Sequence, residues 1–184
     1  MIPHLVYIYR IQNPDMEKTQ AYENYPAWMV LASNAVSLAI YIAGAYIIWQ
    51  AAGLWVVLYA AFILALEVRL IRGHCPDCYY YGKRCAFGQG KLSSLFFKKG
   101  NPSNFCKKNI GWKDLALDFM VSVIPMVIGG ALVLFSFSWL ILGLVILLFV
   151  LSFPGNAFVR GRLACRHCKQ RALGCPAEKL FQKK

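Results

Sequence analysis

Cysteine is the residue type in this chain best suited to chemistry, and six of its seven cysteines fall into two triplets of one spacing. Cys75, Cys78 and Cys85 read C-x2-C-x6-C, and Cys165, Cys168 and Cys175 repeat that spacing. The seventh, Cys106, follows the first triplet. The flanks agree as well: Val68-Arg69 answers Val159-Arg160, and Lys91-Leu92 answers Lys179-Leu180. Each triplet follows a pair of long apolar segments, so the chain reads as one unit written twice.

Two thiolates at C-x2-C can hold one metal from a tight turn, because that spacing brings both sulfurs to the same concavity, and a third cysteine further along closes over it. Cys75, Cys78, Cys85, Cys106, Cys165, Cys168 and Cys175 are therefore candidate metal ligands. Two groupings are open. In the first, Cys106 completes a four-thiolate set with Cys75, Cys78 and Cys85, while the second triplet takes His74 or His167 or keeps an open position. In the second, Cys75 and Cys78 join Cys165 and Cys168 in one symmetric site, leaving Cys85, Cys106 and Cys175 for another.

An iron–sulfur cluster, which transfers electrons, is the cofactor expected, with Zn2+ as the alternative: a closed tetrahedral staple without redox activity. Cys75-Pro76 and Cys175-Pro176 share a proline after cysteine with ferredoxin-type runs, although these spacings are not the usual ferredoxin ones. A third reading takes Cys75-Pro76-Asp77-Cys78 as a thiol oxidoreductase pair whose neighbouring cations lower a thiol pKa.

The elements that must position these cysteines are hydrophobic. Of 184 residues 59% are apolar, and the apolar runs are long enough to cross a bilayer, so the chain is expected to be an all-α integral membrane protein. Four transmembrane helices are expected as two tandem hairpins, each followed by a cysteine-rich module: Trp28 to Trp49 and Leu54 to about Ile71, then about Leu115 to Phe135 and Trp139 to Val159. The divisions are 1–26, a terminal segment lying in the interface or weakly ordered; 27–71, the first hairpin; 72–114, a basic cysteine-rich loop; 115–159, the second hairpin; and 160–184, a basic cysteine-rich tail. Residues 1–26 carry Arg10, Asp15, Glu17 and Glu23 with no continuous apolar run, so no cleavable leader is expected.

Charge sets the expected orientation. Eighteen of the 20 basic residues, all but Arg10 and Lys18, lie in the loop and tail or at their edges. Lys and Arg at membrane ends stay cytoplasmic, which puts both termini and both modules on the cytoplasmic side of a cell membrane, in a reducing compartment where disulfides do not persist. A loop as long as 72–114 needs something other than a core to hold it, and metal ligation would supply that order. Within it, Leu92, Leu95, Phe96 and Phe97 beside Lys91, Lys98 and Lys99 form an apolar ridge with basic edges, suited to membrane lipid.

Expected partners are therefore membrane lipid and a protein partner or larger membrane complex, with no nucleic acid. Glu67 and Asp118 lie about one turn inside the helix ends, where a proton-relay role competes with pairing to Arg69, Arg72 or Lys113 at headgroup level. Ser33, Asn34 and Ser37 are expected to bond between helices. Whether the chain is an enzyme is open. The three histidines, His4, His74 and His167, stand in no H-E-x-x-H context, and Cys85 occupies the position where a phosphate loop needs its first glycine.

Overall fold

The computed structural model describes residues 21–107 and 112–175. Its long helices are α1 (Ala27–Ala51), α2 (Trp55–His74), α5 (Trp112–Phe135) and α6 (Trp139–Val150). Two short ones, α3 (Gln89–Phe96) and α4 (Pro102–Lys107), lie in the loop that reads as irregular from sequence, and α7 (Lys169–Gly174) lies in the tail. Among the described residues there is no strand, only an isolated bridge between Tyr22 and Cys168. The chain divides into two compact units: Ala32–Leu70 with Gly111–Val159, and Met1–Leu31 with Ile71–Ile110 and Arg160–Lys184.

Among the described residues, three helices are long and apolar enough to cross a membrane: Ala27–Ala51, Ala116–Phe135 and the continuous helical run Trp139–His167. α2 falls short because Glu67, Arg69 and Arg72 occupy its C-terminal part. Its uncharged stretch, residues 55–66, at about 1.5 Å per residue is too short for ~30 Å of hydrocarbon. The last run passes well beyond Val159, through wide π-helical turns at Leu151–Gly155 and Val159–Ala164, into the second cysteine turn. Pro154 explains the first widening: a proline has no N–H to donate four residues back, and the Asn156 N–H reaches the Leu151 carbonyl five back instead.

The helical unit packs around Ile40, Ala43, Ile47, Ile48, Tyr59, Val121 and Leu148. Small residues set the approach of its helices. A side chain on Gly44 would overlap the Tyr59 ring and Pro125, and one on Gly129 would overlap Val145 and Ile47. Outward-facing positions are apolar too, with Leu38, Leu54, Leu64, Val127, Leu134 and Phe135 exposed, the composition of a surface that meets hydrocarbon rather than water.

Some polar contacts inside this unit answer specific needs of the backbone. Pro125 cannot donate to the Val121 carbonyl one turn earlier, and the buried Tyr59 hydroxyl donates to that carbonyl at 2.7 Å. Ser152 and Ser122 bond each other at 2.7 Å. The serines of α1 behave differently from expectation: Ser37 donates to the Ser33 carbonyl of its own helix, and the buried Ser33 hydroxyl has no partner among the described residues. Replacing Tyr59 with Phe keeps the ring and removes the donor, leaving the Val121 carbonyl unsatisfied. The expected loss is about 1–3 kcal/mol, read as a lowered midpoint of unfolding in detergent, with Tyr46→Phe as the unaffected control because Tyr46 is 38% exposed.

Candidate functional site

The second unit contains the cysteine repeats, and the repeat in sequence is a repeat in backbone. Cys75–Asp77 and Cys165–His167 are both 3-10 turns. In the first, the Cys78 N–H donates to the Cys75 carbonyl at 3.2 Å and the Tyr81 N–H to the Cys78 carbonyl at 3.1 Å. In the second, the Cys168 N–H donates to the Cys165 carbonyl at 3.2 Å and the Arg171 N–H to the Cys168 carbonyl at 3.1 Å. Pro76 opens the first turn, where a missing N–H costs nothing and a φ near −65° is already helical. Beyond the second cysteine the loops diverge. Residues 79–84 turn back through Gly82 at φ +75°, a left-handed conformation that favours glycine, whereas Lys169–Gly174 form α7.

The two loops bond directly to each other. The buried Gln170 side chain accepts the Tyr79 N–H at 2.8 Å, and the Lys169 N–H donates to the Tyr80 hydroxyl at 3.0 Å. Residues 22–25 bond to both. The Tyr22 N–H donates to the His167 carbonyl at 3.1 Å, the Tyr80 hydroxyl to the Tyr22 carbonyl at 2.7 Å, the Tyr25 N–H to the Arg84 carbonyl at 3.0 Å, and the Tyr25 hydroxyl to the Ala164 carbonyl at 2.5 Å. Tyr25 and Tyr80 are each 1% exposed and form the core with Met29, Ala86 and Ala164. Glu23 lies beside this seam, paired with both Lys83 and Lys169, while the two ammonium groups also stand over the Tyr79 ring.

Tyr22, Tyr25, Tyr80 and Gln170 carry no signal in the cysteine spacing. Their nearest signal is the run Tyr79-Tyr80-Tyr81 directly after Cys78, a density of hydroxyl-bearing rings unusual for a solvated loop. Residues 21–25, grouped from sequence with a loosely held terminus, are part of the packed unit; residues 1–20 lie outside those described.

Cys78, Cys85 and Cys168 pack on this tyrosine core. Cys78 lies within electrostatic reach of Cys85, Cys175 and Cys168, and Cys168 also of Cys165. None of Cys75, Cys78, Cys85, Cys165, Cys168 and Cys175 is in a disulfide. Backbone N–H groups favour the thiolate forms: that of Gly90 donates to Cys85 Sγ at 3.3 Å, those of Tyr80 and Tyr79 lie close enough to Cys78 to act on its thiol, and those of Arg171 and Gln170 close enough to Cys168. Such bonds stabilise a thiolate. Burial opposes them more strongly. It pushes the Cys78 thiol up to about 11 and the Cys168 thiol up to about 12, and neighbouring cysteines add to both. At Cys78 the direction is thus upward, opposite to the lowering that neighbouring cations alone would bring.

Cys106 has its backbone in α4, and its side chain lies outside the described residues. The His74 ring meets Phe105 edge-on at 6.4 Å, and the His167 ring lies 4.9 Å from that of Tyr22. As placed, no three His, Cys, Asp or Glu side chains among the described residues stand close enough together to hold a metal ion. Glu67, in the helical unit, accepts the Tyr41 hydroxyl at 2.5 Å.

These thiols give the unit a pH dependence of defined sign. Folded Cys78 and Cys168 hold their protons to about 11 and about 12, while an unfolded cysteine loses its proton near 9. Above about pH 9 the unfolded chain therefore releases protons that the folded chain retains, and stability falls as pH rises. With a metal bound the sign reverses, because acid protonates the thiolates and expels the metal. Thermal unfolding of metal-stripped protein between pH 5 and 11 should show alkaline loss; acid loss in the as-isolated protein would mark a thiolate-bound metal, and a profile coincident with the stripped one would mean that it carries none.

Comparison with family models, curated proteins and solved structures returns no match for this chain.

Proposed function

We propose that this is a four-pass membrane protein carrying a metal–thiolate centre in its extramembrane unit, where an iron–sulfur cluster serves electron transfer as part of, or partner to, a larger membrane redox complex. The observation that carries the proposal is the meeting of the two repeats. Cys78 of one and Cys168 of the other pack on one core, with Cys85, Cys175 and Cys165 in the same electrostatic neighbourhood. This neighbourhood crosses both groupings that the spacing leaves open, and it favours one shared site drawing on both triplets.

Four passes are supported by chain return. Residues 22–25, 79–84 and 164–170 are hydrogen-bonded together, so the stretches that join them must leave and come back on the same side. If α1 crosses, α2 must cross back. The charged end of α2 can do so near the boundary, where Arg69 and Arg72 extend their head groups toward water and Glu67 accepts the Tyr41 hydroxyl. The basic loop and tail then support the cytoplasmic face of a cell membrane.

The donor set suits a soft metal. It consists of thiols without disulfides, with a backbone N–H donated to Cys85 and others near Cys78 and Cys168, the kind of surroundings by which proteins tune thiolate-bound metals. A bound cluster would supply one-electron transfer. The protein's own part is to hold the two turns together, through Tyr80, Tyr25 and Gln170, and to limit water access by burying Cys78 and Cys168.

One observation favours a second reading, a zinc-stapled adapter for an acidic partner. The buried hydrophobic core of this unit is Tyr25, Met29, Tyr80, Ala86 and Ala164, small for three chain segments that must stay together. Anaerobic purification in mild detergent, with a visible spectrum and iron, zinc and sulfide analysis of one sample, separates the readings. Brown protein containing iron and acid-labile sulfide is expected, lost in both Cys78→Ser and Cys168→Ser. Colourless zinc protein would replace the electron-transfer reading with the adapter, and metal-free protein would overturn both.

A further inference from the structure

We infer that α3 is a docking helix whose outer stripe, Leu92, Leu95 and Phe96, inserts among the headgroups of an anionic phospholipid bilayer. The helix is fixed in rotation by its inner face. Gly90 lies so close to the Tyr80 carbonyl that a side chain there would overlap it, its own carbonyl accepts the Gly82 N–H at 2.9 Å, and its N–H is committed to Cys85. Ser93 is fully buried, and the Tyr81 hydroxyl holds the Phe97 carbonyl at 2.7 Å just past the helix end. With Gly90 and Ser93 inward, positions 92, 95 and 96 must point outward, one stripe at helical spacing.

That stripe is 42%, 75% and 73% exposed at Leu92, Leu95 and Phe96. Three adjacent large apolar side chains on a helix that cannot turn away call for an apolar occupant. The charge around them identifies it. Lys91 borders the stripe and Lys98 and Lys99 follow it, all exposed, and the sequence has no acidic residue between Asp77 and Asp114. An acidic protein surface would satisfy the lysines but leave Leu95 and Phe96 against polar groups. The boundary of an anionic bilayer offers phosphates to the lysines and acyl chains to the stripe at once. The same chain contains three helices long and apolar enough to cross a membrane, so a bilayer is the surface always present.

The inference does not depend on what the cysteines bind. It is tested with the full chain in nanodiscs carrying the photoreactive residue p-benzoylphenylalanine in place of Phe96 or, in a second variant, Leu95, with exposed Arg84 as the off-stripe control. Illumination in phosphatidylglycerol-containing discs should give lipid adducts several-fold above the Arg84 control at both stripe positions. The yield should drop several-fold in pure phosphatidylcholine discs and in a Lys98→Glu/Lys99→Glu background. Yields equal to the control, or indifferent to phosphatidylglycerol, would overturn the inference; a covalent protein dimer would overturn it in favour of a second copy of this chain.

Discussion

The hydroxyl of Tyr80 is the interaction on which the cysteine unit depends. It donates to the Tyr22 carbonyl and accepts the Lys169 N–H, so one oxygen joins three segments far apart in the chain. A net intramolecular hydrogen bond contributes about 1 kcal/mol, whereas a buried partner left unmade costs about 1–3 kcal/mol. Tyr80 itself is 1% exposed, so its hydroxyl makes these bonds from inside the packed core. Tyr25 repeats the device, anchoring its N–H to the Arg84 carbonyl and its hydroxyl to the Ala164 carbonyl. Long-range polar contacts of this kind tie the two cysteine turns together beside a small apolar core among the described residues.

The consequence for the thiols is a balance of opposing terms. Burial on the tyrosine core raises the Cys78 and Cys168 thiols, and the proximity of other cysteines raises them further, because a second thiolate there would repel the first. Backbone N–H groups act in the opposite direction. Left to protons, burial prevails and the thiols stay neutral. A soft cation changes the outcome, since it neutralises several thiolates at once and retains the N–H bonds. That is the physical content of reading these repeats as a metal site rather than as exchange thiols, whose chemistry needs an accessible low-pKa sulfur.

The helical unit obeys a different constraint: with an apolar exterior, every displaced backbone bond must be repaired within the unit or by local geometry. Pro125 strands the Val121 carbonyl, and Tyr59 repairs it from another helix. Pro154 is accommodated by a wider turn of its own helix. Gly44 and Gly129 are needed for a third reason, the close approach of neighbouring side chains.

The sequence by itself determined the helical class, the apolar stretches and the repeated cysteine spacing, because periodicity, hydropathy and spacing are local properties that need no partner to be read. It also placed both C-x2-C motifs in tight turns, which the backbone bears out at Cys75 and Cys165. The tertiary structure alone decided which cysteines become neighbours, that residues 21–25 bond to both loops, and that Tyr25, Tyr80 and Gln170 organise the unit. It also decided which face of α3 is spent on packing against Tyr80, and so which face is left outward. Those facts rest on contacts as distant in sequence as Tyr22 with His167 and Tyr25 with Ala164, where one donor meets one carbonyl, and no local pattern encodes such a pairing.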